Sequence, residues 1–188
     1  MSRRSELASA VATIKAKSNG GVPRVGQVEL TDKTLYLNVA IKGQAGTVGV
    51  VDVNTKREVG ITNIDGNKLN AGRDYIIDGI RLLKGVKKSA DLKSETWSAL
   101  QGDENVFIDP AFLNAEFRIK QDGNVLVDMP ITDLTGDKTV IFRPLSTSPL
   151  IRSNMEFEFE IEYPKGVSVQ SAEDTNVRFE FRVHQAKR

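Results

Sequence analysis

Few side chains in this sequence could take part in acid–base or nucleophilic chemistry. The chain has one histidine, His184, and no cysteine. A histidine can act as a general base, but it then needs a nucleophile or an orienting partner, which a sequence alone does not place. His184 falls on the predicted polar face of the last strand beside Arg182, and we expect a surface imidazole there. Disulfides, a cysteine nucleophile and zinc motifs that combine cysteine with histidine are excluded.

One group of oxygen-bearing side chains has the spacing of cation ligands. Asn63, Asp65 and Asn67 alternate as the ligands of a Ca²⁺ loop do, but the leading aspartate pattern and the downstream bidentate glutamate are missing. Asn, Asp and Gly also favour turns for purely conformational reasons. We therefore predict a plain turn at this position, with ion binding as the alternative.

Glutamates stand at every second position from Glu156 to Glu162. Paired carboxylates can hydrolyse glycosidic bonds, but the two groups need unlike environments, one of them desolvated. A row of four on one solvated face has like environments, so we predict that it keeps a sheet soluble or meets a basic partner. A glycine-rich phosphate loop and a Gly-x-Ser-x-Gly elbow are also missing from the sequence. We predict that the protein is not an enzyme and has no cofactor, catalytic or metal site.

The aromatic residues and the overall charge give no sign of a sugar or nucleic-acid binder. Trp97, Tyr36, Tyr75 and Tyr163 are dispersed along the chain, and phenylalanines alternate mainly with glutamate. Binders of single-stranded nucleic acid instead interleave aromatic residues with Lys and Arg. The net charge is +1, from 26 Lys and Arg against 25 Asp and Glu. Binding of a polyanion would therefore have to come from a local patch.

The elements that position these side chains are strands. Apolar residues and glutamates alternate from Met155 to Tyr163, and Val177–His184 alternates with the same parity. A period of two gives a strand one apolar and one polar face, whereas a helix would spread the phenylalanines around its circumference. We predict that the apolar set faces the core: Met155, Phe157, Phe159, Ile161, Val177, Phe179, Phe181 and Val183.

Further strands follow from similar patterns after Pro23. Thr34–Ile41 alternates, and Tyr75–Leu83 is apolar on both parities, as a strand buried on two sides is. Lys84–Gln101, which holds the only tryptophan, is predicted to be a long loop or a loop with one helical turn. The remaining predictions are strands at Gly46–Val53 and Thr139–Phe142, a short return strand at Glu58–Ile61 and a loop at Arg143–Arg152.

Ala115–Met129 contains a hairpin with two candidate registers. A two-residue loop, Asp122-Gly123, would place Phe117 opposite Asp128. A three-residue loop that adds Asn124 instead sets Phe117 against Met129, Ile119 against Val127 and Arg118 against Asp128. We predict the three-residue loop, because it keeps the apolar face whole and pairs opposite charges.

Eight to ten strands at intervals of about ten to twenty residues, without interleaved helices, predict an all-β protein. We expect an antiparallel β-sandwich over residues 23–188 and, among sandwich folds, a jelly roll. Residues 1–22 are predicted to form a basic N-terminal arm with a short helix at Ser5–Lys17. No apolar stretch approaches the roughly 20 residues of a membrane span. Leu7–Ile14 is also a poor signal-peptide core, so we expect a protein that is not secreted.

The arm carries four basic residues, Arg3, Arg4, Lys15 and Lys17, against one acidic residue. Either its narrow apolar stripe packs the helix onto the domain, or the basic residues reach a neighbouring subunit or a polyanion such as nucleic acid. We predict contacts outside the subunit, because an isolated helix of about thirteen residues is barely stable in water. Gly20-Gly21 before Pro23 would also let the arm swing away from the domain.

Three segments carry a resemblance to known proteins: Asn70–Val86, Asn154–Tyr163 and Val177–Val183. Together they resemble the strand blocks of single jelly-roll capsid and penton proteins of icosahedral phages and viruses. The resemblance implies a virion structural protein, a capsid, penton or spike-base subunit that is assembled in the host cytoplasm. Its partners would be further copies of itself, in a homo-oligomer, and other virion structural proteins. It carries over no individual residue. A lectin-like or adhesin-like sandwich module is the alternative, and an enzyme such as a glycoside hydrolase comes third.

Overall fold

A computed structural model describes residues 29–100, 108–134, 141–170 and 175–187, together with Ala8 and Ala12, which are helical and exposed. The other residues of the predicted arm, including Arg3, Arg4, Lys15 and Lys17, lie outside the described residues. In chain order the strands are β1 (Glu29–Ala40), β2 (Thr47–Val51), β3 (Arg73–Gly85), β4 (Trp97–Ala99), β5 (Glu116–Gln121), β6 (Asn124–Pro130), β7 (Arg143–Pro144), β8 (Leu150–Ile151), β9 (Phe157–Glu162) and β10 (Asn176–Lys187). Short helical segments are α1 (Pro110–Leu113) and two 3-10 turns, Leu92–Ser94 and Ile131–Leu134.

The strands form two antiparallel sheets. The first has the order β1, β10, β3, β4, and β7 and β8 also pair with β3. The second has the order β2, β9, β5, β6. β10 pairs along its length with β1 on one side and β3 on the other, so the last strand is the centre of the first sheet. The predicted all-β class and antiparallel sandwich are confirmed.

The core lies between the sheets and is built by the period-two pattern of the strands. The apolar residues of β9 and β10 are buried, as predicted. Phe117 of β5 stacks on Phe179 of β10 with ring centroids 4.9 Å apart, and Phe159 of β9 lies 4.9 Å from Phe181. Rings from both sheets therefore interdigitate, which is the packing of a sandwich core. The exception is Met155, which precedes β9 and is only half-buried.

β3 is buried on both faces, as its apolar run predicts. One edge pairs with β10, and the other pairs in turn with β8, β7 and β4, three strands of only two or three residues. The predicted loop Arg143–Arg152 therefore contains two strands, and the predicted loop Lys84–Gln101 contains β4 around Trp97. The predictions failed because such short segments have no measurable periodicity, and their partner supplies the pairing.

Two other predicted strands are wrong. Ile141 and Phe142 lie in a bend before β7, while Thr139 and Val140 fall outside the described residues. Glu58 forms a tight turn with Thr62 instead of returning along β2. This turn lies against the edge of β1, where Ile61 O accepts a hydrogen bond of 2.8 Å from Asn38 N. Backbone pairing with a distant strand has replaced the local hairpin.

The β5–β6 hairpin has the predicted register but not the predicted loop. Ile119 pairs with Val127 and Arg118 with Asp128, yet the pairing continues to Gln121 and Asn124. The loop is therefore the two residues Asp122 and Gly123, both at positive φ, as in a type I′ turn. A bulge in β6 after Val125 restores the apolar register that a two-residue loop would otherwise break.

Candidate functional site

The predicted surface position of His184 is wrong. His184 is 8% exposed, and its Nε2 lies 3.0 Å from Oδ2 of Asp78 on β3. Arg182 donates from Nε to the other oxygen, Oδ1, at 2.8 Å. We call these three residues the Asp78 cluster. One largely buried carboxylate thus binds two basic side chains of the central strand, and the cluster ties β3 to β10.

A β-bulge brings the Asp78 cluster together. Arg182 pairs with Gly79 and Val183 with Ile77, so Asp78 is an extra residue in β3. Bulges re-aim side chains, and here the extra residue supplies its carboxylate to two neighbours on the facing strand. A signal was present in the sequence: a glycine inside an otherwise apolar strand indicates a bulge or a close approach. A Cβ atom at Gly79 would lie 3.2 Å from the carbonyl oxygen of Arg143.

The Asn63–Asn67 segment has a structural role. Asn63 Oδ1 accepts a hydrogen bond of 2.8 Å from Tyr36 N, and its Nδ2 donates to Thr34 O at 2.8 Å. The side-chain amide of Asn63 therefore makes the hydrogen bonds to the edge of β1 that the backbone of a neighbouring strand would otherwise make. Asp65 accepts from the backbone N–H of Arg57 at 3.3 Å. Across the described ranges, no group of three acidic, histidine or cysteine side chains has a metal-binding arrangement.

The glutamates of β9 meet basic residues within the chain. Glu160 pairs with Lys120 at 2.5 Å and Glu162 with Arg118, both on β5, whereas Glu158 is exposed. Arg118 also contacts Asp128 on β6 at 3.1 Å. The basic partner of Glu160 and Glu162 is therefore the adjacent strand β5 of the same chain. These ion pairs lie across the outer face of the second sheet.

The aromatic residues are less dispersed in space than in sequence. Arg178 on β10 places its guanidinium carbon 4.2 Å from the ring centroid of Tyr36 and 6.0 Å from that of Trp97. Its Nε donates to Glu180 at 2.7 Å. This stacking on the outer face of the first sheet joins β1, β10 and β4, and only the strand order reveals it. The guanidinium contacts both rings, which is the geometry of a structural cation–π contact.

A concave site lies at one end of the sandwich. Its volume is about 190 Å³, and β1, β3, β8, β9 and the loop 52–72 line it. Its rim carries four basic side chains, and its floor is apolar. We call it the cationic cleft. The sequence gives no sign of this cleft, because its four basic residues are far apart and do not form a charge run. They are Lys33, Arg57, Lys68 and Arg73.

Protein-family models, curated proteins and solved structures contain no significant match to this chain. None of the helices in the described part of the chain has the length and apolarity needed to cross a membrane.

Proposed function

We propose that this chain is a virion structural protein, a capsid, penton or spike-base subunit built on a jelly roll and acting by symmetric self-association. The observation that carries the proposal is the order in which the strands pair. Its location would be the virion, after assembly in the host cytoplasm, and its partners would be further copies and other virion proteins. No catalytic step is part of the proposal.

The strand pairs are nested along the chain. β1 pairs with β10, β2 with β9, β3 with β7 and β8, and β5 with β6. Successive pairs alternate between the first and the second sheet. Rolling one long hairpin into a sandwich would give this order. The order supports an eight-stranded jelly roll, in which β7 and β8 count as one strand and β4 is an addition at the edge of β3. Jelly rolls are frequent in viral capsid proteins and in lectins.

The polar clusters support an assembly role over a catalytic one. In the described part of the chain, the Asp78 cluster, the pair Glu160 and Glu162, and Arg178 are each engaged in contacts between neighbouring strands. Such contacts stabilise a rigid building block. Proteins that act by self-association need complementary surfaces, which the near balance of acidic and basic residues allows.

Electron microscopy of the purified full-length chain tests the proposal. We expect closed symmetric particles or rings in negatively stained images, and light scattering should give a mass that is several times the 20.7 kDa of one chain. A chain that stays monomeric at every concentration, alone and with its virion partners, would contradict the proposal.

A sandwich-type binding module is the second candidate, and the cationic cleft favours it. Lectin-like and adhesin-like domains act as monomers or small oligomers that hold a ligand in a concave surface. A monomer that binds a ligand saturably in the cleft would support this candidate over the first.

A further inference from the structure

The cationic cleft has an apolar floor made by residues that are far apart in the sequence. Leu35 of β1, Ile151 of β8 and Phe157 of β9 line it and are at most 4% exposed. Tyr75 of β3 is also buried, and its hydroxyl accepts a hydrogen bond of 3.1 Å from Lys33 Nζ. The floor is therefore part of the folded core, and its shape does not depend on a ligand.

The wall formed by the loop 52–72 is held by backbone hydrogen bonds to the segment 154–157 and by a backbone hydrogen bond within the loop. Phe157 N donates to Asn67 O at 2.8 Å, and Asn154 N donates to Leu69 O at 3.0 Å. Gly66 N donates to Thr55 O at 2.7 Å within the loop. These bonds fix the backbone that carries Arg57 and Lys68, so binding would order little besides the side chains.

The charge of the cleft is not neutralised locally. Lys33, Arg57, Lys68 and Arg73 face one acidic side chain, Asp65. Among the described residues, no carboxylate forms an ion pair with Arg57, Lys68 or Arg73, whereas Arg118, Lys120 and Arg143 on other surfaces all have acidic partners. A concave surface with a local excess of three positive charges, in a chain with a net charge of +1, concentrates anions.

The volume limits the size of the ligand. An apolar cavity of about 150 Å³ accommodates benzene, so the 190 Å³ of the cleft suits one six-membered ring or a short branched chain with an attached charged group. A bare inorganic anion would leave the floor without contacts. A large polyanion would not reach the floor.

From the apolar floor, the unneutralised basic rim and the volume, we infer that the cleft binds a small amphiphilic organic anion. The apolar part would lie on Leu35, Ile151 and Phe157, and a carboxylate or phosphate group would bind Arg57, Lys68 and Arg73. Guanidinium groups bind both kinds of anion through paired hydrogen bonds. The inference does not rest on the assembly role, because all the residues that line the site belong to one subunit.

Ligand-observed saturation-transfer NMR on the full-length protein tests the inference and works for monomers and large assemblies. The probes are benzoate and phenyl phosphate, and benzyl alcohol is the control that lacks the charge. Inorganic phosphate, the control that lacks the ring, has no carbon-bound proton to observe and is therefore added as a competitor of the bound aryl anion. We expect at least one aryl anion to bind saturably, with a Kd on the order of 1 mM or tighter. Both controls should bind at least tenfold more weakly. The tighter of the two aryl anions identifies the charged group as carboxylate or phosphate.

Variants locate the binding in the cleft. Lys68 and Arg73 are exposed, so the double variant Lys68→Gln with Arg73→Gln should leave thermal unfolding unchanged. It should weaken the binding of the aryl anion at least tenfold. Lys68→Arg with Arg73→Lys should retain binding, and Lys165→Gln, at an exposed lysine outside the cleft, is the matched control. The inference is overturned if neither aryl anion binds, if a control ligand binds equally well, or if the double glutamine variant binds like the parent.

Discussion

Phe159 and Phe179 are the residues on which the contact between the two sheets depends most directly. Both side chains are fully buried, one in each sheet, and Phe117 makes a ring contact with both. Truncation of either ring would remove its apolar contacts and leave a cavity that the rigid strands cannot close.

We expect Phe159→Ala and Phe179→Ala each to lower the free energy of unfolding by about 3–5 kcal/mol. Urea denaturation at neutral pH measures the loss. The control is Glu158→Ala, an exposed neighbour on the same strand, which should change stability by less than about 0.5 kcal/mol. A loss below about 1 kcal/mol at both phenylalanines would contradict the described packing.

The Asp78 cluster gives the second prediction at the residue scale. Asp78→Asn removes the negative charge that binds Arg182 and His184, and leaves two basic groups beside a neutral amide. We expect a loss of about 2–3 kcal/mol, less than for a fully buried pair because Arg182 is 37% exposed at its side chain.

Equilibrium denaturation of the two single variants Asp78→Asn and Arg182→Gln and of the double variant would measure the coupling between these side chains. Asp133→Asn, which breaks an exposed ion pair with Arg143, is the matched control and should cost less than about 1 kcal/mol. Additive effects of the two cluster substitutions would show that the contact does not stabilise the fold.

At the scale of elements, one glutamate organises the connection between β3 and β4. Glu95 accepts hydrogen bonds from the backbone N–H groups of Lys87, Ser89 and Thr96 and from Nδ2 of Asn176, at 2.7–3.0 Å. Burial raises the pKa of this carboxyl group, but the hydrogen bonds from Asn176 and the backbone outweigh it. The pKa of Glu95 is therefore lowered from its usual value.

A lowered pKa in the folded state means that Glu95 stabilises the protein above the pKa of about 4.3 for an unfolded glutamate. The stabilisation is lost as the pH falls through the lower, folded-state pKa. We expect Glu95→Gln to cost about 1 kcal/mol at pH 7, since an amide cannot replace an ionised acceptor of four hydrogen bonds.

The difference between Glu95→Gln and the parent should shrink below about pH 4. Urea denaturation as a function of pH measures this difference. Glu158→Gln, at an exposed position, serves as the control and should change the free energy of unfolding little at pH 7 or below about pH 4. An unchanged difference at low pH would show that the effect of Glu95 is not ionic.

At the scale of the whole molecule, the assembly hypothesis makes a prediction for the arm. Deletion of residues 2–19 should leave the thermal unfolding of the β domain nearly unchanged and weaken assembly, because the arm is expected to make its contacts outside its own subunit. Differential scanning calorimetry and light scattering measure the two effects separately.

A charge-only variant separates the helix from its basic residues. This variant replaces all four basic residues of the arm by Gln: Arg3, Arg4, Lys15 and Lys17. It should weaken assembly if the arm binds a polyanion, and it should have little effect on assembly if the apolar stripe makes the contact. If the deletion unfolds the domain, the helix belongs to the core and the hypothesis of an external arm is wrong.

The sequence by itself determined the features that depend on local pattern. Period-two alternation fixes which face of β9 and β10 is buried, because successive side chains of a strand point to opposite sides. The same pattern predicts the observed pairing of Ile119 with Val127, although the structure achieves it with a two-residue turn and a bulge. The lack of cysteine and the single histidine limit the chemistry open to the chain, whatever its fold.

Only the tertiary structure decided what distant segments build together. The Asp78 cluster joins positions more than one hundred residues apart, and the cationic cleft brings Lys33, Tyr75 and Phe157 to one surface. β7 and β8 are strands only because β3 offers them a free edge. Local patterns report which face of a strand is apolar, but not which strand lies beside it. Pairing between distant strands is a property of the whole chain, and so are the sites that it creates.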